Sequence, residues 1–497
     1  MGEQVRSGRM AADYRVVVLG AGFAGLCMGL RLQAAGEASF LILEKADRVG
    51  GTWRENVYPG SGCDIPSHLY SYSFEPNPDW PEVFSAQPDI LDYINDVVEK
   101  HQLSRYIRFN SEVTGAAWDD EAQLWRIAIA DGAIVTAEAF VTAWGQLNRP
   151  KLPTIEGRES FAGPAFHSAQ WDPSVDLAGK RVAVIGNGAS AIQFVPEVAK
   201  VAGSVTLFQR SPNWIVPRLN RPYTSEEKAR FRAEPAAMGK VRGEIFEMAE
   251  ARLAAKRAGT LPIEEVPIPL AHLHAQITDP ALRAKLTPDY EIGCKRVLIS
   301  NDFYPALTRP NVELVVEAIA RMTPRGVVDA TGRLHEADVV IYATGFETKS
   351  FAGETTITGA GRVSLAQAWA DGPEAYLGIS VAGFPNLFML YGPNTNLGHN
   401  SIIYMIEAQV DYVLQALARA VPVDVKPEVM ARYNRQLQEE LAATPWAGAC
   451  TSWYKTAEGR ILNNWPGTAR AYAEAVSRFD PAAYLALAPA RAVEPAE

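Results

Sequence analysis

Cysteine is scarce in this chain, with four in 497 residues at Cys27, Cys63, Cys294 and Cys450, and none stands in a C-x-x-C pair or at metal-ligand spacing. The expectation is four reduced thiols, no metal site and no dithiol redox motif. Basic charge is also in short supply: 47 Lys and Arg face 57 Asp and Glu, a net −10. Nucleic acid is therefore an unsuitable partner, because phosphate backbones need a basic face, although small phosphates can still find local cations. No apolar run reaches the roughly 20 residues that a spanning helix needs. The stretch from Met1 to Tyr14 lacks the apolar core of a signal peptide. These absences lead to an expected cytoplasmic location and no membrane partner. Low-complexity tracts are missing too, and a chain of this length is too long for one ordinary core, so two or three domains are expected.

What is present begins at Tyr14. The run Tyr14-Arg-Val-Val-Val-Leu-Gly20-Ala-Gly22-Phe23-Ala-Gly25 is an apolar strand pattern passing straight into G-x-G-x-x-G. A helical pattern through Leu26, Leu30 and Leu32 follows. In that context the glycines allow a tight turn, close backbone approach and a helix N-terminus facing a pyrophosphate. A second apolar run, Phe40-Leu-Ile-Leu, ends at Glu44-Lys45, which puts a carboxylate where ribose hydroxyls would donate.

The punctuation recurs at Arg181-Val-Ala-Val-Ile-Gly186-Asn187-Gly188-Ala189-Ser190-Ala191, with Ala in place of the third glycine. Glu44 lies 24 residues after Gly20, and Arg210 lies 24 residues after Gly186. A carboxylate at that position suits a free 2′-hydroxyl, and a guanidinium suits a 2′-phosphate. The first site therefore calls for FAD and the second for NADPH. Two further strands ending in Gly, Phe140-Val-Thr-Ala-Trp-Gly145 and Val340-Ile-Tyr-Ala-Thr-Gly345, each close one nucleotide-binding half.

The expected fold class is α/β, with two Rossmann-like, doubly wound dinucleotide-binding domains. A discontinuous FAD domain spans 13–147 and 337–497, with the NADP domain (153–336) inserted in it and a helical insertion at 221–290. Val113 to Ile129, carrying Trp118 and Trp125, reads as a small β-meander. Ile402 to Ala418 reads as a long amphipathic helix capped by the Asn/Ser group before it, its N-terminus available to the flavin pyrimidine edge. The Ala/Pro-rich tail after Pro481 is expected to fray.

Between the two turns stands Phe161-Ala-Gly163-Pro-Ala-Phe-His167-Ser-Ala-Gln-Trp171-Asp172, which resembles the F-x-G-x-x-x-H-x-x-x-W-(P/D) fingerprint of type I Baeyer–Villiger monooxygenases. The segment Gly50-Gly51-Thr52-Trp53-Arg-Glu-Asn-Val-Tyr58-Pro59-Gly60-Ser-Gly-Cys-Asp64 is similar to a second pattern of that family. The resemblance runs from about residue 14 to 470. It implies FAD contacts from Gly51, Thr52, Trp53, Asp64 and Tyr70 beside the first turn, and an active-site arginine, Arg296, within Gly293-Cys-Lys295-Arg296. It further implies a 2′-phosphate grip by Arg210, Ser211 and Lys295. Ala343-Thr344-Gly345-Phe346 matches a common flavoprotein signature. Cys450-Thr-Ser-Trp453-Tyr454 resembles a mobile loop that closes over NADPH. The fingerprint residues belong to an interdomain hinge in the family. Val57 departs from it, since many members carry Arg there.

The activity implied is insertion of one atom of O2 next to the carbonyl of a ketone or aldehyde, giving an ester or lactone by way of a C4a-peroxyflavin. Arg296 would stabilise the anion and Asp64 would orient Arg296. Two other readings compete: a flavin monooxygenase that oxidises sulfur or nitrogen, and a non-catalytic nucleotide-binding redox sensor. A yellow protein that consumes O2 with NADPH would separate the enzymes from the sensor.

Overall fold

The structure, a computed structural model, describes residues 11–257, 267–348, 351–419, 421–456 and 458–487. Two main sheets organise it, the first mixed and the second parallel. The first centres on the strand Tyr14–Leu19, whose Val16, Val17 and Val18 are fully buried. That strand pairs in parallel with Phe40–Leu43 on one side and Ile134–Thr142 on the other. Burial on both faces explains why these runs are continuously apolar rather than alternating. The expected meander is present: Val113–Asp119 and Leu124–Ile129 pair antiparallel, with Trp118 directly opposite Trp125. The short strands Thr356–Thr358 and Leu387–Met389 join this sheet from much later in the chain.

The second sheet is all parallel, in the spatial order Val312–Val315, Ser204–Phe208, Arg181–Ile185, Val339–Tyr342, Ala165–His167. The chain thus leaves the first sheet, builds the second and returns. The fold is mixed α/β with two Rossmann-like units, the second inserted in the first. The return comes later than residue 336, where it was expected, because Val339–Tyr342 is a central strand of the second sheet. Glu336 ends only an antiparallel hairpin strand, Leu334–Glu336.

The repeat seen in the sequence has a structural cause. Gly20 and Gly186 have φ of +100° and +104°, in the region favouring glycine. A Cβ on Gly20 would lie 2.8 Å from the Ala143 carbonyl oxygen, and one on Gly186 2.4 Å from that of Ala343. Each turn is therefore pressed against the end of the strand that closes its own sheet. The two strands ending in Gly recur because each is the second wall of a glycine turn.

Helices complete the layers. Phe23–Ala34 leaves the first turn and packs on Ile402–Leu417, which is capped by the Ser401 hydroxyl accepting from the Ile403 amide at 3.3 Å. Fully buried Leu and Ile side chains here each contribute about 1.5–3 kcal/mol. The helical insertion contains Ser225–Ala233, Pro235–Arg257, Pro267–Gln276 and Pro280–Leu286, with 258–266 outside the described residues. Among the described residues no helix is long and apolar enough to cross a membrane.

Two expectations are corrected here. Cys294 and Cys450 form a disulfide, their Cα atoms 6.2 Å apart across 156 residues of sequence. Sequence spacing carries no signal for a pair that only tertiary folding brings together; Cys27 and Cys63 are free and buried. The start of the tail does not fray either. Tyr484–Ala486 pairs antiparallel with Val423–Val425, and buried Tyr484 exchanges hydroxyl contacts with Ser380 and Tyr412. Residues 488–497 lie outside the described residues.

Candidate active site

A cavity of about 1540 Å³ runs from the first glycine turn to the junction of the two sheets. Gly20, Gly22, Phe23, Glu44, Lys45, Gly51, Thr52, Trp53, Asp64 and Tyr70 all line it. Gly25 does not; its Cβ would fall 1.8 Å from the Gly20 carbonyl oxygen, so it serves the packing of helix on turn. Glu44 is 4 % exposed and braces the turn from below, accepting from the Ala21 amide at 2.8 Å, the Ala46 amide at 3.0 Å and Arg54 Nη1 at 3.0 Å. Trp53 Nε1 donates to the Tyr70 hydroxyl at 3.2 Å, and Tyr70 stands edge-on to Phe23. This wall is a pre-formed cradle of backbone and aromatic faces.

The second turn, Gly186 to Ser190, is not part of the cavity lining but opens beside it. Asn187 Nδ2 donates to Gln209 Oε1 at 2.8 Å and to the Ser211 carbonyl at 2.9 Å, which ties the turn to the segment carrying Arg210. Arg210 is exposed, and Lys295 Nζ donates to Ser211 Oγ at 2.7 Å while lying 4.3 Å from the Tyr290 ring centre. Burial, and next the neighbouring Arg210 charge, lower the pKa of the Lys295 ammonium. Two cations and a hydroxyl thus converge from separate segments, with the Asp289 carboxylate the weakest of the influences on Lys295. That is the chemistry a phosphate monoester recruits.

Arg296 and Asp64 meet in the cavity wall through a hydrogen bond from Nη2 to Oδ2. Both side chains keep an open face, 37 % and 29 % exposed respectively. The Asp64 charge holds the guanidinium well above its ordinary range, against the opposing cost of burial. A short parallel ribbon positions both partners. Leu298–Ile299, just after Arg296, pairs with Ile215–Val216. Beyond that second strand, Arg218 Nη2 donates to the Cys63 carbonyl at 3.2 Å, next to Asp64.

Around this pair lie residues that sequence reasoning did not assign. Tyr391 has φ +61° and lies half-buried beside Arg296, its hydroxyl donating to Asn396 Oδ1 at 2.6 Å. Asn396 Nδ2 donates to Asn464 Oδ1 at 2.7 Å. Burial pushes the Tyr454 hydroxyl up to about 12. Tyr454 lines the cavity, whereas Trp453 does not; their rings are 4.4 Å apart. Phe303 is core of the second sheet and Trp465 packs on Tyr472, both outside the cavity lining. Glu250, on the long insertion helix, accepts from Asn400 at 2.8 Å, His399 at 3.1 Å and the Ala469 and Arg470 amides at 3.0 Å. It pins the loop before the Ile402–Leu417 helix, and no motif announced it.

The fingerprint residues are not in the cavity. His167 is 1 % exposed; its Nδ1 accepts from the Ala169 amide at 3.1 Å and its ring stands edge-on to Phe346. Burial lowers its pKa. Trp171 packs on Phe166 and Phe194, Phe161 joins the core under the second sheet, and Asp172 caps a turn through Ser174. A Cβ on Gly163 would lie 2.3 Å from the Asp338 carbonyl oxygen. Val57 is 42 % exposed and also outside the lining.

Comparison with known proteins agrees with this geometry. The family described as pyridine nucleotide-disulphide oxidoreductase matches residues 17–234. A Baeyer–Villiger monooxygenase of Pseudomonas aeruginosa is 44 % identical over 482 residues, 95 % of this chain and 92 % of the relative. The chain belongs to the Baeyer–Villiger monooxygenase family. A second member, from Streptomyces coelicolor, is also 44 % identical, over 96 % of this chain and 93 % of its own. Among solved structures, the complex of OTEMO with FAD and NADP superposes with a TM-score of 0.85 at 27 % identity, covering 96 % of this chain and all of that one. Oxidised steroid monooxygenase bound to NADP gives 0.81 at 31 % identity, over 93 % of this chain and 97 % of that one.

Proposed function

We propose that this family member, an FAD- and NADPH-dependent monooxygenase, inserts one oxygen atom of O2 beside the carbonyl of a ketone or aldehyde and releases an ester or lactone. The observation that carries the reading is the Arg296–Asp64 pair, open to the cavity that the first glycine turn also lines. FAD fits that turn: the cradle is one a side chain would fill, and Glu44, Lys45 and the Thr52-Trp53 segment complete a dinucleotide-length wall. NADPH fits Gly186 to Ser190, with Arg210, Ser211 and Lys295 on its 2′-phosphate. Bound together, the two groups supply hydride and then activated oxygen.

The chain's own residues supply the rest. Arg296 cannot lose its proton, so it keeps a fixed positive charge where an anionic oxygen develops. Asp64 orients that guanidinium without neutralising the whole of it, since each side chain retains an open face. Tyr454, held protonated by burial, can donate to a substrate carbonyl, while the Tyr391 hydroxyl is engaged on Asn396. Apolar walls at Val297, Ile299, Leu397 and Trp446 exclude water, which strengthens every one of these interactions. In this reading residues 13–147 and those after 343 hold FAD, and 153–342 hold NADPH. The loop carrying Trp453 and Tyr454 covers the coenzyme, and His167 and its neighbours form the hinge.

Arg296→Ala tests the assignment, because reduction and oxygenation use different groups. The variant should still be reduced by NADPH, yet form at least about a hundredfold less ester, the O2 it consumes appearing as hydrogen peroxide. Asp64→Ala should fall in the same direction but less far. Undiminished ester formation by Arg296→Ala would remove Arg296 from the chemistry.

A further inference from the structure

The disulfide joins two walls of one cavity. Cys294 is 1 % exposed and immediately precedes Lys295 and Arg296, both of which line the cavity. Cys450 is half-buried and opens the loop that carries Trp453 and Tyr454, flanked by Trp446 on its other side. Other ties hold this loop to other parts of the chain: Thr348 Oγ1 donates to the Trp453 carbonyl at 3.3 Å, the Leu462 amide to that of Tyr454 at 3.0 Å and the Thr456 amide to that of Arg460 at 2.8 Å. None of these hydrogen bonds reaches the Arg296 segment. The sulfur bridge is thus a covalent link between the loop and the segment that holds the active-site arginine.

We propose that Cys294 and Cys450 are a site of reversible oxidation whose disulfide clamps the loop shut over the coenzyme. In the forward direction a hydroperoxide takes two electrons from the two thiols. One sulfur accepts an oxygen as sulfenic acid, the other thiolate displaces it as water, and two thiols and one hydrogen peroxide yield one disulfide and two waters. In reverse, an external dithiol attacks the more accessible Cys450 sulfur, the S–S bond breaks, and the electron pair leaves on Cys294. Hydrogen peroxide is also what an oxygenase of this type releases when oxygen transfer fails, so the oxidant arises at the site. With the bridge closed, the loop cannot swing away from Lys295 and Arg296, and coenzyme exchange slows. With it open, the loop is held by its hydrogen bonds and packing alone and can part from the Arg296 segment. The clamp rests on the reading that this loop covers bound NADP.

The test uses the full chain loaded with FAD, reduced with dithiothreitol or oxidised with hydrogen peroxide, then desalted. Peptide mapping without reduction should show a fragment linked through Cys294 and Cys450 in the oxidised sample alone. NADP⁺ release, followed by stopped-flow displacement, should be at least about fivefold slower from oxidised than from reduced protein. Cys450→Ser should release NADP⁺ at one rate under both treatments, with Cys294→Ala as an independent check. Absence of the linked fragment, or equal release rates with the fragment present, would overturn the clamp. Trp453→Ala separates the two readings. If it speeds NADP⁺ release while oxidation has no effect, the loop covers the coenzyme and only the clamp is wrong. If neither changes the rate, the loop does not cover the coenzyme and both fail.

Discussion

Replacing Arg210 with Ala removes one of the two cations assigned to the 2′-phosphate and leaves the glycine turn untouched. The side chain is exposed, and no described ion pair or hydrogen bond employs its guanidinium, so its loss should cost no packing. A hydrogen bond to a charged group contributes about 1.5–3 kcal/mol, which corresponds to roughly 10- to 150-fold in binding. Lys295 remains in place, held by Ser211 and Tyr290, and continues to attract the phosphate. The lower part of that range is therefore expected, about 10- to 30-fold in kcat/KM for NADPH. NADH lacks the phosphate, and its kcat/KM should move by less than about twofold. Steady-state coenzyme oxidation by Arg210→Ala, Lys295→Ala and the double variant measures all of this. Added salt should weaken NADPH use by wild type more than by the double variant, because the interaction being screened has gone. Equal losses with both coenzymes would refute the reasoning and make Arg210 a structural residue.

Other expectations concern the joint between the sheets and its response to acid. Gly60 has φ +79°, and a Cβ there would sit 2.6 Å from the Gln193 carbonyl oxygen on the helix after the second turn. Gly60→Ala should lower stability by about 1–3 kcal/mol, read as a shift in the urea midpoint; an unchanged midpoint would show that the two units are not in contact there. Burial holds the His68 imidazole at about 4, below the ordinary 6.5, in an edge-on cage with Tyr223 and Phe231. The unfolded chain binds that proton first as pH falls. The stability this histidine contributes is therefore intact above 6.5 and is lost between 6.5 and 4, about 3 kcal/mol in all. Thermal unfolding of His68→Phe should lose less between pH 7 and pH 5 than wild type does; parallel losses would place the titration elsewhere.

The parts of this molecule legible in its sequence are those written in local grammar. A strand, a glycine turn, a helix and a residue 24 positions after the first glycine are all consequences of one βαβ geometry, so the two dinucleotide units and the opposite charges of Glu44 and Arg210 could be read directly. The Arg296–Asp64 pair was legible only through family resemblance, because 232 residues separate the partners and nothing local links them. Tyr391, Asn396 and Asn464 could not be read, since their connection is a tertiary hydrogen-bond chain running between loops. Glu250 was hidden for a different reason: on a charged helix it looks like a solvated side chain until His399, Asn400 and two backbone amides are seen to donate to it. The fingerprint stretch is read as a hinge only through the resemblance; its histidine and tryptophan pack at the edge of the second sheet, outside the cavity.

The central claim, oxygen insertion beside a carbonyl, is tested most directly by the fate of the oxygen. Purified enzyme with FAD, NADPH, heavy-isotope O2 and a panel of ketones alongside sulfides should be followed by mass spectrometry of the products. The account predicts esters or lactones that carry one heavy oxygen at the position between carbonyl carbon and migrated carbon, one molecule for each NADPH consumed in coupled turnover. Heavy oxygen found only in sulfoxides, or only in hydrogen peroxide across the whole panel, would contradict it.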